Sequence, residues 1–157
     1  MTMPLSKNCQ IVQEYLDQFG LKLQVRELEQ STRTAQDAAD AVGCQLGQIV
    51  KSLIFRSAKR PLLFLVSGKN QLDVANVSAQ LCITLEKADA DFVHENTGFP
   101  IGGVPPVAHA HQMEVFIDRD LMVYDLIWAA AGTPHAVFPL KSEDLPRITG
   151  GRLIDVQ

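Results

Sequence analysis

The sequence predicts an α+β fold: one domain of 157 residues in which helices flank a mixed β-sheet. Three observations carry this expectation. Stretches with helical spacing and stretches with strand patterning are interspersed, without regular βαβ alternation. Two apolar runs, IVKSLIFR (49–56) and LLFLVSG (62–68), flank a short basic turn and read as a central hairpin. A hydrophobic fraction of 46% against 20% charged suits a chain that buries one real core, at a length short for two domains.

Taken in order, Ser6 to Phe19 reads as an amphipathic helix. Ser6 is its cap, Ile11, Val12, Tyr15, Leu16 and Phe19 fall at helical spacing, and Gly20 ends it. Leu21, Leu23 and Val25 alternate with polar residues, as in a strand. Thr34 to Val42 is a second helix, capped by Thr34 and stopped by Gly43. The hairpin follows, turning at Lys59-Arg60-Pro61. Helices are expected at Asp73–Leu81 and Ala88–Asn96, the second ending at Gly98. Strands are expected at Met113–Asp118, Leu126–Ala131 and Ala136–Leu140, then a short helix capped by Ser142, and a last strand at Arg152–Val156.

Several classes are excluded or disfavoured. No apolar run approaches the length of a membrane span, and Met1 to Gln10 has no signal-peptide pattern, so the expected location is cytoplasmic. Cys9, Cys44 and Cys82 are an odd, scattered set, which reads as three free thiols in or near the core rather than a disulfide framework or a zinc site. The net charge of −4 argues against wrapping long nucleic acid, but it permits local contact with a nucleic-acid end through a few cations such as Lys59, Arg60 and Lys69.

The residues that can carry chemistry are few. Lys51 interrupts an apolar strand face shared with Ile49, Leu53 and Phe55. It is either a strand-end lysine laying its stem over the core or a cation at the mouth of a cleft, able to meet a phosphate or a developing oxyanion. TGFPIGGVPPVAHAH (97–111) holds three glycines, three prolines and two histidines, too broken for a helix and too proline-rich for a central strand. Its Gly102-Gly103 pair is either an ordinary turn or a backbone cradle whose N–H groups meet an anion. His135, beyond Gly132-Thr133-Pro134, is a turn histidine or a substrate contact. His109 and His111 form an H-x-H pair without enough further ligands; Asp118 and Asp120 are only loosely placed to help, so no metal is expected. Ser67-Gly68-Lys69 lacks the upstream glycine of a phosphate-binding loop, and there is no G-x-S-x-G elbow.

The stretches IVKSLIF, LLFLVSGKNQLDV, GFPIGGVPP and GTPH, in this order and spacing, resemble the YbaK/EbsC family, freestanding relatives of the editing domain inserted in bacterial prolyl-tRNA synthetase. The resemblance runs from about Val25 to the C-terminus. It implies a compact α+β domain on a mixed, partly barrel-like sheet, and hydrolysis of mischarged aminoacyl-tRNA in trans, with tRNA for proline as the carrier. The partners it implies are the aminoacyl-tRNA acceptor end and, as a candidate, an aminoacyl-tRNA synthetase, with no DNA, membrane or cofactor. Lys51 matches the family's essential lysine. Gly102, Gly103 and Pro105 match its substrate loop, and Gly132 and His135 fall where relatives place a loop against the aminoacyl group. The catalytic set is then Lys51, Gly102 and Gly103; the substrate-binding set is Ser52, Ile101, Pro105, Gly132 and His135. In some members a substrate thiol replaces water as nucleophile. A non-catalytic aminoacyl-tRNA or synthetase binding module and a small-molecule esterase remain as alternatives.

Overall fold

The apolar hairpin does form the centre of the sheet. In the computed structural model, which describes residues 4–157, the elements run α1 (Lys7–Asp17), β1 (Arg26–Glu27), α2 (Ala35–Val42), β2 (Ile49–Ser57), β3 (Arg60–Ser67), α3 (Val74–Leu81), β4 (Glu86–Lys87), α4 (Ala90–Thr97), β5 (Glu114–Asp118), β6 (Leu126–Ala130), β7 (Ala136–Lys141), α5 (Asp144–Thr149) and β8 (Arg152–Ile154). The leader reading of Met1 to Gln10 lies partly outside the described residues, at 1–3. The strand order is β1-β7-β6-β2-β3-β5-β8, with β4 as a short extra partner of β2. Parallel pairs (β2–β6, β3–β5, β5–β8) and antiparallel pairs (β1–β7, β2–β3, β2–β4, β6–β7) make the sheet mixed.

Alternation along β3 explains why its sequence is continuously apolar: both faces are buried. Leu63 and Leu65 point into an inner core with Val50, Ile54, Ile117, Ile127, Phe138 and Leu140, closed by α1 and α5. Strands from β7 through β5 all contribute to this cluster. Leu62, Phe64 and Val66 point outward and pack with Phe55, Phe116 and the α3 residue Val77. A third cluster places Ala38 and Ala39 of α2 on Ile49, Trp128 and Val137.

Local chemistry sets most helix ends where the sequence puts them. The side chains of Thr34, Asp73 and Asp89 accept the N–H groups of Asp37, Asn76 and Phe92, and Gly43 and Gly98 close α2 and α4 in the left-handed region. Four expectations need correction. The buried face of α1 is Cys9, Val12 and Leu16, while Ile11 and Tyr15 are about two-fifths exposed. Leu23 and Val25 are buried as alternation requires, but the Gln13 side chain, not a strand, bonds the Leu23 carbonyl and the Val25 N–H. Ser142 does not cap α5, because its hydroxyl donates to the Tyr124 carbonyl. Of the three free thiols Cys82 is exposed, since its backbone closes α3 at φ +56.

One irregularity positions the site. One edge of β2 is paired with β3 along its whole length. On the other edge, β6 pairs only Ile49 and Val50, and β4 pairs only Phe55 and Arg56. Residues 51–54 are therefore left with no strand partner on that side, and their outward backbone groups are free for a loop, water or ligand.

Candidate active site

The gap beside β2 opens into a cavity of about 350 Å³, lined by Thr32 to Ala35 and Ala38 from the α2 region, Ile49 to Leu53 of β2, Ile101, Gly102, Val104, and Trp128 to Ala130 of β6. A second crevice of about 220 Å³ continues along the open edge toward Phe55 and Lys87, sharing Ser52, Leu53, Ile101 and Val104 with the first. Lys51, Ser52, Ile101 and Gly102 thus come together on one cavity, although fifty residues separate the two pairs. Ile101 is 48% exposed, a large apolar side chain held over the opening.

Lys51 is half-buried, at the seam between the patch covered by α2 and the patch covered by α3. Its Nζ donates to the backbone carbonyl of Asn70. Burial lowers its pKa, and the negative charge of Asp118 works against that shift. A fixed polar bracket stands behind this contact. Asp118 is 1% exposed, and its carboxylate accepts the Asn70 side-chain amide at 2.9 Å, the Ser67 N–H at 3.0 Å and the Asp120 N–H at 2.9 Å. The same Asn70 amide donates to Asp120 at 2.8 Å. The Asp118–Asp120 pair thus builds a hydrogen-bond network around the Asn70 amide. Among the described residues, no three His, Cys, Asp or Glu side chains are grouped to hold a metal ion. His109 of the H-x-H pair is turned onto the Pro105 carbonyl at 2.7 Å.

The glycine loop is a tight turn. The Gly103 N–H donates to the Pro100 carbonyl at 3.0 Å, and Gly102 sits at φ +86, the pattern of a type II turn. Gly102 needs its missing side chain twice over, since a Cβ there would also lie 2.7 Å from Cγ of Arg33. The turn corrects the expectation for Gly103. Its N–H is already bonded to Pro100, so it is no free donor for an oxyanion, and Gly103 does not line the cavity. What Gly103 does is let two loops touch: its carbonyl accepts the Gly132 N–H at 2.9 Å, and a Cβ would lie 2.8 Å from Cα of Thr133. Gly103→Ala is therefore expected to force these backbones apart and to destabilise the fold by ~1–3 kcal/mol. Thermal melting checks this; an unchanged Tm would contradict it.

Pro105, Gly132 and His135 stand back from the cavity. Pro105 is buried behind the turn. Gly132, at φ +109, packs on α1, where the Asn8 side chain donates to its carbonyl at 3.0 Å. His135 is exposed and its Nδ1 lies 3.0 Å from the Gln30 carbonyl. Gly132 and His135 belong to the second loop, and that loop in turn braces Gly103. The basic surface is also redistributed. Arg60 is engaged with Glu114 at 3.0 Å and Lys69 lies over the Tyr124 ring, whereas Arg33 lines the cavity itself.

Comparison with known proteins now adds to this geometry. The family description "Aminoacyl-tRNA editing domain" matches residues 29–148. The chain belongs to the aminoacyl-tRNA editing domain family. It is 45% identical, with a TM-score of 0.93 over 98% of this chain and 99% of the other, to a solved structure described as a "putative trans-editing enzyme for prolyl tRNA synthetase". YwhH of Bacillus subtilis, an uncharacterized protein, is 29% identical over 147 residues, covering 92% of this chain and 94% of its own. Proline–tRNA ligases match as well, among them that of Kosmotoga olearia at 34% identity over 87 residues, 55% of this chain. This chain covers only 15–26% of the ligases it matches.

In this editing domain the cavity owes as much to residues without a sequence signal as to the motif residues. Thr32, Arg33, Ala38 and Trp128 line it, and Asn70 and Asp118 brace its lysine. The start of α2 was legible, but not that it would face β2. Asp118 and Asp120 enter from the sequence only as loosely placed companions of the H-x-H pair, and only the fold shows the first carboxylate buried beneath Asn70.

Proposed function

We propose that this protein is a trans-editing hydrolase that deacylates mischarged aminoacyl-tRNA, with tRNA for proline carrying a wrong small amino acid as the substrate and a synthetase as a candidate partner in delivering it. The observation that supports this reading most is the convergence, on one cavity, of a half-buried ammonium, the unpaired edge of β2 and a rigid glycine turn. An aminoacyl ester is already activated, so water can attack it without a protein nucleophile. The site has to hold the ester and stabilise negative charge on its carbonyl oxygen. Lys51 supplies that charge, to the oxygen or to the terminal phosphate. Gly102 lies on the cavity wall, and no described residue accepts its N–H, which leaves that N–H as the turn's donor toward the substrate. Ser52 and Ile101 border the space for the aminoacyl group. The test is release of labelled amino acid from a panel of aminoacylated tRNAs; binding without turnover on any member would favour the non-catalytic module.

Charge on Lys51 gives the reading a pH signature. Its pKa in the folded protein lies below the ordinary lysine value of 10.5, so the unfolded chain binds more protons between the two values. Stability is expected to rise with pH across that window, while deacylation over the uncatalysed rate falls as the ammonium is lost. Melting and initial rates measured over the same alkaline series check the opposed directions; parallel slopes would contradict them.

A further inference from the structure

Four serine or threonine residues are buried among the described residues: Thr32, Ser67, Thr97 and Ser142. Three have their hydroxyls bonded. Ser67 donates to the Gly47 carbonyl at 2.7 Å, Thr97 to Val93 at 2.7 Å, and Ser142 to Tyr124 at 2.5 Å. Thr32, 6% exposed, has no partner for Oγ1 among the described residues, and the half-buried Ser52 has none for its shielded Oγ. Both unpartnered hydroxyls belong to residues lining the main cavity. Thr34, two residues on, lines the same cavity and has its oxygen committed to the cap of α2. A buried hydroxyl without a partner costs about 1–3 kcal/mol. Two on one cavity are therefore a feature to be explained by what enters it.

We infer that Thr32 and Ser52 form a subsite for a hydroxyl-bearing aminoacyl side chain, that of serine or threonine, in preference to alanine or cysteine. The inference rests on the deacylase reading for its substrate class. A hydroxyl donates one hydrogen bond and accepts others, so two wall hydroxyls can bracket a substrate hydroxyl, one donating to it and one accepting from it. Both oxygens are shielded as they stand, so the inferred subsite requires each to turn about χ1 into another staggered well that faces the cavity. Apart from Arg33, Thr34 and Lys51 the wall is apolar or small, with Ala38, Ile49, Val50 and Ala129, and it gives a methyl side chain no polar partner and a thiol only weak ones. A site that hydrogen-bonds a substrate hydroxyl rejects the analogue lacking it far more strongly than an apolar pocket rejects a missing methylene.

The test compares kcat/KM for seryl-, threonyl-, cysteinyl- and alanyl-tRNA in the wild type, Ser52→Ala and Thr32→Val. In parallel, the affinities of the stable amide analogues 3′-serylamino- and 3′-alanylamino-3′-deoxyadenosine are measured. The wild type is expected to favour serine over alanine by about 100-fold or more. Each substitution is expected to shrink that ratio by about tenfold. Because the readout is a ratio within one variant, partial misfolding does not imitate it. Equal wild-type rates and affinities for serine and alanine, or a ratio unchanged in both variants, would overturn the inference. Absence of turnover on every tRNA, with the seryl analogue still bound preferentially, would sink the hydrolytic reading and leave the subsite standing.

Discussion

Lys51→Ala is expected to lower single-turnover deacylation by about 10²–10³-fold while leaving the protein folded. The rate loss is that of removing one preorganised electrostatic contact to a developing oxyanion. Survival of the fold follows from the local bonding. The Lys51 ammonium contacts the Asn70 carbonyl, but Asn70 is held independently through its side chain by Asp118 and Asp120. Removing a desolvated charge also relieves a burial penalty, so Tm should change little. Lys51→Arg is an informative partner variant. It keeps the charge but replaces a compact ammonium with a wider planar fork, and incomplete rescue is expected in a site built around a point charge. Full activity in Lys51→Ala would remove Lys51 from the mechanism.

Asp118 should show the opposite profile, a large effect on stability first. Its carboxylate is buried and accepts from Ser67, Asn70 and Asp120. Asp118→Ala strands these donors and removes the countercharge beside Lys51, and a loss of about 3–5 kcal/mol is expected. Chemical denaturation measures this directly; a change under 1 kcal/mol would mean that the bracket relaxes at no expense. Asp118→Asn is the variant that separates structure from function. It keeps the shape, and it removes the charge that holds the Lys51 pKa up against burial. The alkaline limb of its pH–rate profile should therefore move to lower pH, which a purely structural role for Asp118 would not produce.

Much of this protein was legible in one dimension, for reasons that are local. Thr34, Asp73 and Gly43 terminate helices through bonds to residues three or four positions away, and the hairpin is announced by two apolar runs around a turn. Lys51 stood out because strand alternation makes a lysine between Ile49 and Leu53 an exception on its face. Where local signals competed, the reading slipped. In α1 the helical period was right and Val12 and Leu16 are buried, but Ile11 and Tyr15 are about two-fifths exposed, and Cys9 completes the buried face instead. Leu23 and Val25 alternate like a strand, yet Gln13 supplies their hydrogen bonds from the neighbouring helix.

The amino-acid sequence by itself determined the element types, the α+β class and, through four separated motifs, the family; each of these depends on spacing along the chain. Only the tertiary structure decided which residues make a site. It left residues 51–54 unpaired between β6 and β4, swung the Gly102 turn over that gap, and placed Thr32 and Ser52 on the resulting cavity. It also turned Gly103 and His135 away from the role their motifs suggested, by committing the Gly103 N–H to Pro100 and leaving His135 exposed against Gln30. The physical reason is that propensity and capping are settled within a few residues, whereas a cavity is a property of surfaces brought together by pairing partners far apart in the chain.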